Sequence, residues 1–294
     1  MSRSTRTRLP WAPMIAIPAL FIVIATLQVR IDAQARTAIK EKEELLLRSG
    51  GVVKTLSLGY DSLLADIYWT RAVQYYGERM GTPDPDFQLL APLLDISTTL
   101  DPKLVVAYRF GAIFLSEPAP MGAGRTDLAI DLVKRGIMAN PAEWHLYADL
   151  GFLYYWRLKD YQNAATAYLA GSKTPKGPLW MKLMAARVAE KGGSIETSRM
   201  IWLELYESTK NPNIRKKAME QLHRLMAEED ESHLNDLAEQ YHMRFGRFPA
   251  STKEMREAGM LAGIPVDPAG YPYIFGADGR SHVDPRSPVT EPKP

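Results

Sequence analysis

Apolar residues recur three and four positions apart over most of the chain, from about Asp61 to Pro212. That spacing places apolar side chains on one face of an α-helix. Short stretches of glycine, proline and aspartate interrupt the pattern and predict the ends of successive helices. No convincing alternation of apolar and polar residues, as expected for a strand, interrupts it. The pattern therefore predicts an all-α region of short helices joined by tight turns.

A second apolar pattern lies at the N-terminus, where 21 uncharged residues run from Leu9 to Val29 after Arg3, Arg6 and Arg8. A helix of this length reaches about 30 Å, enough to cross the hydrocarbon layer of a bilayer. Basic residues before a span favour a cytoplasmic N-terminus. We predict a basic cytoplasmic segment at 1–8 and a transmembrane helix at 9–29. The rest of the chain would then face away from the cytoplasm, on the periplasmic side of the inner membrane.

A cleaved signal peptide is the alternative for this segment. Ala33-Gln34-Ala35 fits the small-x-small pattern of a cleavage site. The apolar stretch is longer than the core of a usual signal peptide, and Arg30 and Asp32 stand between it and that site. The sequence therefore favours a retained anchor.

Residues 30–60 are predicted to connect the span to the helical region. Ala33–Arg48 is rich in charge and predicts a helix that leaves the membrane. Ser49-Gly50-Gly51 follows it and predicts a break, with a linker after it.

Prolines return at a fixed interval within the helical region. Pro141 lies 34 residues before Pro175, and Pro178 lies 34 residues before Pro212. Pro102 lies 39 residues before Pro141, and the excess falls in a loop rich in proline and glycine. A constant interval of this kind is typical of repeat architectures.

The residues between the prolines repeat as well. The clearest copy has an aromatic residue, a Leu-Gly pair and a tyrosine on a first helix, then an alanine, an aromatic residue and a proline on a second. Its members are Tyr147, Leu150, Gly151, Tyr154, Ala164, Tyr168 and Pro175. This order resembles the pattern of the tetratricopeptide repeat family, whose repeat has the same length.

Three looser copies keep phase with the clearest one. The copy before it has Phe110, Gly111, Phe114, Ala129, Val133, Gly136 and Pro141. The first has Trp69, Ala72, Val73, Tyr76, Leu90, Leu94 and Pro102, and the last has Met181, Met184, Ala185, Val188, Thr197, Ile201 and Pro212. The resemblance implies an α-solenoid of about four helix pairs over residues 61–226, in which small residues such as Gly151 let paired helices approach closely. An unrelated helical bundle is the alternative.

Residues 227–275 do not continue the repeating pattern. A helix at Ile214–Met226 is expected to close the stack, and a polar helix at Glu228–Phe245 to follow it. Residues Leu237–Tyr273, which include Gly246-Arg247-Phe248-Pro249, resemble the end of the long helix and the following loops of type II secretion pseudopilins. The sequence lacks a prepilin cleavage motif before the apolar run and a clear calcium loop after Tyr273, so the chain is not expected to be a pilin.

A simpler interpretation of this tail is purely structural. Asp267-Pro268 and Ala269-Gly270 are turn-forming pairs, and they would give a rigid turn and a small hairpin packed on the last helix. The remaining residues, 276–294, are predicted to be a disordered, proline-rich end.

Composition narrows the possible functions. The net charge is only +2 and no long basic run is present, which argues against nucleic-acid binding. The chain has no cysteine, and none of its five histidines forms a His-Glu-x-x-His pair. Phosphate-binding and Gly-x-Ser-x-Gly motifs are also missing. We therefore predict neither metal nor cofactor and no enzyme activity, although a catalytic site assembled from scattered residues stays an alternative.

The acidic run Glu228–Glu231, close to His233, is the one cluster of charge that invites a functional interpretation. Such runs are usually a solvated face or the start of a helix, where negative charge favours the helix dipole. We therefore assign it no chemistry.

In tetratricopeptide solenoids the first helices line a concave groove. The resemblance implies a partner-binding groove built from Thr70, Arg71, Gln74, Tyr108, Arg109, His145, Asp149, Phe152, Tyr155, Trp156 and Lys182. An aromatic centre flanked by arginine and lysine suits a protein or peptide segment of acidic character. The alternative is that the three aromatic residues of the best copy are core between neighbouring repeats.

Together these features predict a membrane-tethered scaffold or assembly factor that faces the periplasm. The tail makes a pilus or secretion machine the first candidate, by analogy alone. A permanent accessory subunit of a membrane complex is the second hypothesis, and an enzyme with an unrecognised site is the third.

Overall fold

The computed structural model describes residues 23–28, 30, 49–276 and 278–289. The chain divides into two units, 1–48 and 49–294. In the first unit, residues 23–28 and 30 are helical, and the rest of the predicted membrane segment and of the helix at 33–48 lies outside the described residues. Among the helices that are described, none is both long and apolar enough to cross a bilayer.

The second unit is all-α apart from one small hairpin, which agrees with the helical fold class predicted from the sequence. Its described part contains eleven α-helices and two strands. They are α1 (Gly50–Leu56), α2 (Asp61–Arg79), α3 (Leu90–Leu100), α4 (Val105–Ser116), α5 (Thr126–Ala139), α6 (Trp144–Phe152), α7 (Tyr161–Ser172), α8 (Leu179–Lys191), α9 (Ile195–Ser208), α10 (Pro212–Phe245), α11 (Thr252–Glu257), β1 (Ile274–Phe275) and β2 (Ser281–His282).

Helix ends follow from local sequence chemistry. The Asn211 side chain accepts hydrogen bonds from the backbone N–H groups of Asn213 and Ile214, and Pro212 occupies the first turn, where a missing N–H costs nothing. Gly246 ends the same helix with a φ of 74°, a left-handed conformation that glycine adopts without strain. These caps explain why α10 begins and ends where it does.

Successive helices pack as antiparallel pairs. Tyr108, near the start of α4, meets Gly136 near the end of α5, whereas Gly111 meets Leu132 earlier in α5. Contacts that run in opposite directions along two helices require the helices to be antiparallel. The pair α6 and α7 has the same arrangement, and the largest buried cluster lies among α7, α8, α9 and α10.

Glycine sets the distance between paired helices. A Cβ built on Gly151 would stand 2.8 Å from the ring of Tyr168, and one on Gly136 would stand 2.8 Å from the ring of Tyr108. Both separations are shorter than van der Waals contact, so only glycine fits. The close approach expected at Gly151 is therefore present.

The last pair differs from expectation at its small-residue position. On α9 Ser198, Trp202 and Leu205 are fully buried and Ile201 is buried as expected, whereas Thr197, assigned to the small-residue position, is only half-buried. A one-residue step rotates a helix position by about 100°, and Ser198 is the small residue that faces the core.

Charged side chains join the first three helix pairs to one another at a constant interval. Three ion pairs link residues that are 40 positions apart, so each joins corresponding places in neighbouring pairs. They are Asp95–Arg135, Arg109–Asp149 and Glu117–Arg157. The interval agrees with the 39 residues that separate Pro102 from Pro141.

Residues 50–57 belong to the folded unit and not to a linker. Gly50 and Gly51 form the first turn of α1, where the sequence predicted a break. A Cβ on Gly50 would lie 2.6 Å from the Thr99 Cβ, and Val53 is buried. Close packing on α3 therefore holds this segment in a helix despite the low helix propensity of glycine.

The two helices predicted at 214–226 and 228–245 are one continuous helix, α10, of 34 residues. Its length is about 50 Å at 1.5 Å per residue. The acidic run Glu228–Glu231 stands in the middle of this helix and is not its start. Its first half packs on α8 and α9, and its second half contacts the tail.

The tail forms the predicted turn. The Asp267 carboxylate accepts hydrogen bonds from the backbone N–H groups of Ala269 and Tyr271, both at 2.9 Å, and Gly270 has a φ of 88°. β1 and β2 then pair as an antiparallel hairpin. The hairpin is held by α10, because the backbone N–H of Ser281 donates to Asn235 at 2.7 Å.

The disorder predicted for 276–294 is wrong for most of that segment. Residue 276 and residues 278–289 are described, and Ser281, Asp284 and Ser287 are buried. Backbone groups of the tail reach side chains of α10 that are more than forty residues away in sequence, which local composition does not reveal. Residues 277 and 290–294 lie outside the described part.

We expect Gly151→Ala to lower the free energy of unfolding by about 1–3 kcal/mol, because the new methyl group collides with the Tyr168 ring. Gly77 on α2 is the matched control, since its Cβ would meet nothing within 4 Å. Gly77→Ala should raise stability by about 0.5 kcal/mol through helix propensity alone. Chemical unfolding followed by circular dichroism measures both, and equal shifts in the same direction would contradict the close-packing explanation.

Candidate partner-binding surface

The exposed face of α6 is the centre of the predicted groove. His145, Asp149, Phe152 and Trp156 follow one another at spacings of four, three and four residues, which places them on one side of a helix. Phe152 is 47% exposed and Trp156 is 55% exposed. Their rings stack, with centroids 6.5 Å apart and planes 13° apart. Two large aromatic side chains therefore form a flat apolar platform in solvent.

The helix changes its winding beneath this platform. Directly after α6, residues Leu153–Leu158 form a π-helical turn, which ends at Lys159 in the left-handed conformation with a φ of 56°. π-helical turns are rare in proteins, and those that do occur are frequently found at functional sites. The ammonium group of Lys159 lies 4.6 Å from the centroid of the Trp156 ring, so a cation covers the end of the platform.

Arg109 and Asp149 meet, as their assignment to one groove requires. The Arg109 Nε donates to the Asp149 carboxylate at 2.8 Å, and the two side chains are 36% and 25% exposed. Burial raises the pKa of Asp149 above its ordinary value, and the guanidinium of Arg109 opposes that rise. Arg109 thus already binds a carboxylate of its own chain, which limits its use for a partner's carboxylate.

His145 stands at the start of the platform's helix. Its Nδ1 pairs with Glu143, and its ring stacks on Trp144 with centroids 3.6 Å apart. The hydrogen bond from His145 lowers the pKa of the Glu143 carboxyl. This pair caps the helix, because the Glu143 side chain also accepts from the His145 backbone N–H.

Tyr155 stacks on Trp156, with ring centroids 6.5 Å apart and planes 24° apart, and it also contacts two residues farther along the chain. Its hydroxyl accepts a hydrogen bond from Lys191 at 2.9 Å, and its ring lies 5.5 Å from that of Tyr161. The contact with the Tyr155 hydroxyl raises the pKa of the exposed Lys191. Tyr155 therefore joins α6 to the start of α7 and the end of α8, and is half-buried.

Two predicted groove residues are turned into the structure. Tyr108 is only 2% exposed, because its ring packs on Gly136 and its hydroxyl donates to the Thr98 carbonyl. Lys182 is bound to Glu204 of α9 at 2.6 Å and its side chain is 15% exposed. Tyr108 faces α5 and Lys182 faces α9, each the second helix of its own pair. Neither side chain is therefore exposed beside Phe152 and Trp156.

The remaining predicted residues lie on α2. Gln74 and Thr70 are exposed, and Arg71 is half-buried. α2 is the first helix of the pair that precedes the pair containing Arg109, as predicted.

Three residues near the platform were not predicted from the sequence. Lys159 and Lys191 bring exposed positive charge beside the aromatic rings. Trp180 on α8 is 44% exposed, and its ring meets that of Trp144 edge-on at 6.0 Å. Trp144 and Trp180 are 36 positions apart, close to the repeat interval, and this spacing could have identified them.

A second cluster of charged groups lies apart from the platform. Arg224, Glu228, Glu231 and His282 line one cleft between α10 and the tail. Arg224 binds Glu190 and Glu228, and Glu231 accepts from the Val283 backbone N–H. Burial raises the pKa of Glu231. No group of three or more metal-binding side chains occurs among the described residues.

Comparison with known proteins adds no family assignment. No protein-family model matches the chain. No curated protein is significantly similar to it.

The raised pKa of Asp149 predicts a pH effect on stability. The folded state binds this proton more tightly than the unfolded state, so its contribution favours folding at acid pH and is lost as the pH rises from 3.8 through the raised value. Asp149→Asn removes the titration, and the loss of stability between about pH 4 and about pH 7 should become smaller. Thermal unfolding at the two pH values measures it. Asp131→Asn, at an exposed position of α5, is the control, and an equal change in both variants would contradict the assignment.

Proposed function

We propose that this chain is a membrane-tethered scaffold that holds a segment of another protein against α6. In this proposal residues 61–226 are a tetratricopeptide-like solenoid of about four helix pairs. Residues 9–29 anchor it in the inner membrane, and the solenoid faces away from the cytoplasm. The antiparallel pairs, the glycine contacts and the 40-residue ion pairs support the solenoid, and the uncharged run after three arginines supports the anchor.

The observation that carries the proposal is the exposed stack of Phe152 and Trp156. Burial of apolar surface contributes a stabilising free energy of about 25 cal/mol for each Å² removed from water. The exposed parts of the two rings lack this stabilisation. A pair of rings held side by side at the surface is the kind of rigid anchor that dominates protein–protein interfaces. Neither ring is needed to fill the core, because Leu150, Gly151 and Leu153 already do so on the same helix. The platform is therefore best explained by a partner that covers it.

The charges around the platform define the partner's chemistry. Of the three basic residues first expected to bind an acidic partner, Arg71, Arg109 and Lys182, the last two are paired with Asp149 and Glu204. Lys159 and Lys191 are exposed and lie beside the aromatic rings. We therefore propose a partner segment that places apolar side chains on the two rings and a carboxylate at one or both lysines.

A permanent accessory subunit is the second candidate function. Met243 is 78% exposed and Phe245 is 45% exposed at the far end of α10, away in sequence from the platform. In a permanent complex, a second neighbouring subunit would cover these two exposed side chains. A chain of this kind should copurify with its neighbours in constant stoichiometry and aggregate when isolated, whereas a scaffold that exchanges partners should remain monomeric alone.

The platform is tested by placing a photo-reactive phenylalanine analogue at Trp156 in cells and identifying crosslinked proteins by mass spectrometry. The same analogue at Met138, which is 74% exposed on α5, is the control. We expect a discrete crosslinked partner from position 156 alone. The same products from both positions, or none from position 156, would contradict the proposal.

With the partner identified, Phe152→Ala combined with Trp156→Ala should weaken binding by about 2–4 kcal/mol, the range of interface hot spots. Lys159→Glu should weaken it further if the partner is acidic. Met138→Ala controls for loss of an exposed apolar side chain. The unfolding midpoint should change little in each variant, because both rings are half exposed. Binding that survives the double substitution would refute this use of the platform.

A further inference from the structure

A second apolar surface lies at the start of the folded unit, away in sequence from the platform. Within 16 residues, six large side chains are each at least 49% exposed. We call this the N-terminal apolar face, and it consists of Val52, Leu56, Leu58, Tyr60, Leu63 and Ile67. Large apolar side chains are normally exposed singly, so six of them exposed within so short a stretch call for an explanation.

The packing of α1 shows that its two residues of the face, Val52 and Leu56, are not needed for folding. Gly50, Val53 and Ser57 are buried, and Gly50 lies against Thr99 of α3. Val52 and Leu56 are four residues apart and therefore stand together on the remaining side of the helix.

The same division holds on α2. Ala65 and Ala72 are fully buried, and the Ala65 carbonyl accepts a hydrogen bond from Ser97 of α3. Leu63 and Ile67, again four residues apart, are exposed. The inner sides of both helices are used for packing, and their outer sides carry aliphatic residues where polar ones would be expected.

The turn between the two helices presents the most exposed member of the face. Leu58 is 88% exposed and has a φ of 52°, a left-handed conformation that a leucine adopts only at a cost. The Ser57 Oγ lies 2.7 Å from the Lys54 carbonyl oxygen and also contacts the Asp61 carboxylate, so its one proton can be donated to either side of the turn. A strained residue that contributes no packing indicates a function for its side chain.

We propose that the N-terminal apolar face lies in the surface of the lipid bilayer, so that the folded unit rests on the membrane. This inference depends on the proposed anchor at 9–29. Only residues 30–48 separate that run from Ser49, and 19 residues span about 65 Å even when fully extended. In the proposed arrangement the face is therefore within reach of the bilayer.

The composition of the face fits lipid better than protein. It combines leucine, isoleucine and valine with Tyr60, and tyrosine is enriched where a bilayer meets water. The charged residues between 50 and 67 are the base Lys54 and the acids Asp61 and Asp66, so this stretch gives anionic headgroups no net positive charge to attract. The contact should therefore depend on apolar insertion and should not require anionic lipid.

The test uses the full chain in phosphatidylcholine vesicles. Because the chain has no cysteine, Leu58→Cys gives a single site for an environment-sensitive fluorophore. Met138→Cys, at an exposed position of α5, is the matched control. Lipids with a quencher on the upper acyl chain should quench the label at position 58 several-fold more than the label at 138. Iodide in solution should give the reverse order.

The outcomes separate this inference from the anchor. A chain that floats with vesicles while both labels are equally open to iodide refutes the membrane contact and leaves the anchor in place. A chain that does not float refutes both. A label at 58 that is shielded from iodide but not quenched by lipid means that protein covers the face, either a second copy or residues 31–48, and also refutes the inference.

Combining Leu56→Ser with Leu63→Ser gives an independent check. These exposed changes should leave the unfolding midpoint unchanged and reduce lipid quenching at position 58 several-fold. Undiminished lipid quenching in this variant would contradict insertion of the face.

Discussion

The close approach of paired helices at glycine is the constraint on which the rest of the structure depends. Gly136 and Gly151 each face an aromatic ring of the partner helix at a distance that no side chain could occupy. Once these contacts fix the separation within a pair, the ion pairs between residues 40 positions apart can form between one pair and the next. The direction of α6, and with it the orientation of its exposed rings, follows from this packing.

This packing gives α6 one buried side and one exposed side. On α6 the side with Leu150, Gly151 and Leu153 is buried, whereas the side with Phe152 and Trp156 is open. The π-helical turn after Phe152 supplies a cation, Lys159, at the edge of the rings. Charges that the fold uses for its own cohesion, such as those of Arg109 and Lys182, are largely neutralised internally.

Periodicity was sufficient to predict a region of successive helices. The close approach at Gly151 and the groove positions of Phe152 and Trp156 were expected from the resemblance to tetratricopeptide repeats, which left a core role for the two aromatic residues open. Neither was sufficient for Tyr108, because one residue of register rotates a side chain by about 100° and decides between core and surface. The single helix at 212–245 could have been predicted, since no glycine or proline follows Pro212 before Gly246. The order of residues 278–289 could not, because their partners are on α10, more than forty residues away.

Helix α10 belongs to two hydrophobic cores at once. Leu222 and Leu225 are buried in its first half, and Leu234 and Tyr241 in its second. Helix formation is cooperative along the chain, so melting at one end spreads through the segment that the other end needs. The helix pairs and the tail are therefore thermodynamically linked and should unfold in one transition. No cut between them would yield two self-sufficient fragments, and a truncation that removes only the tail leaves about half of a long helix without support.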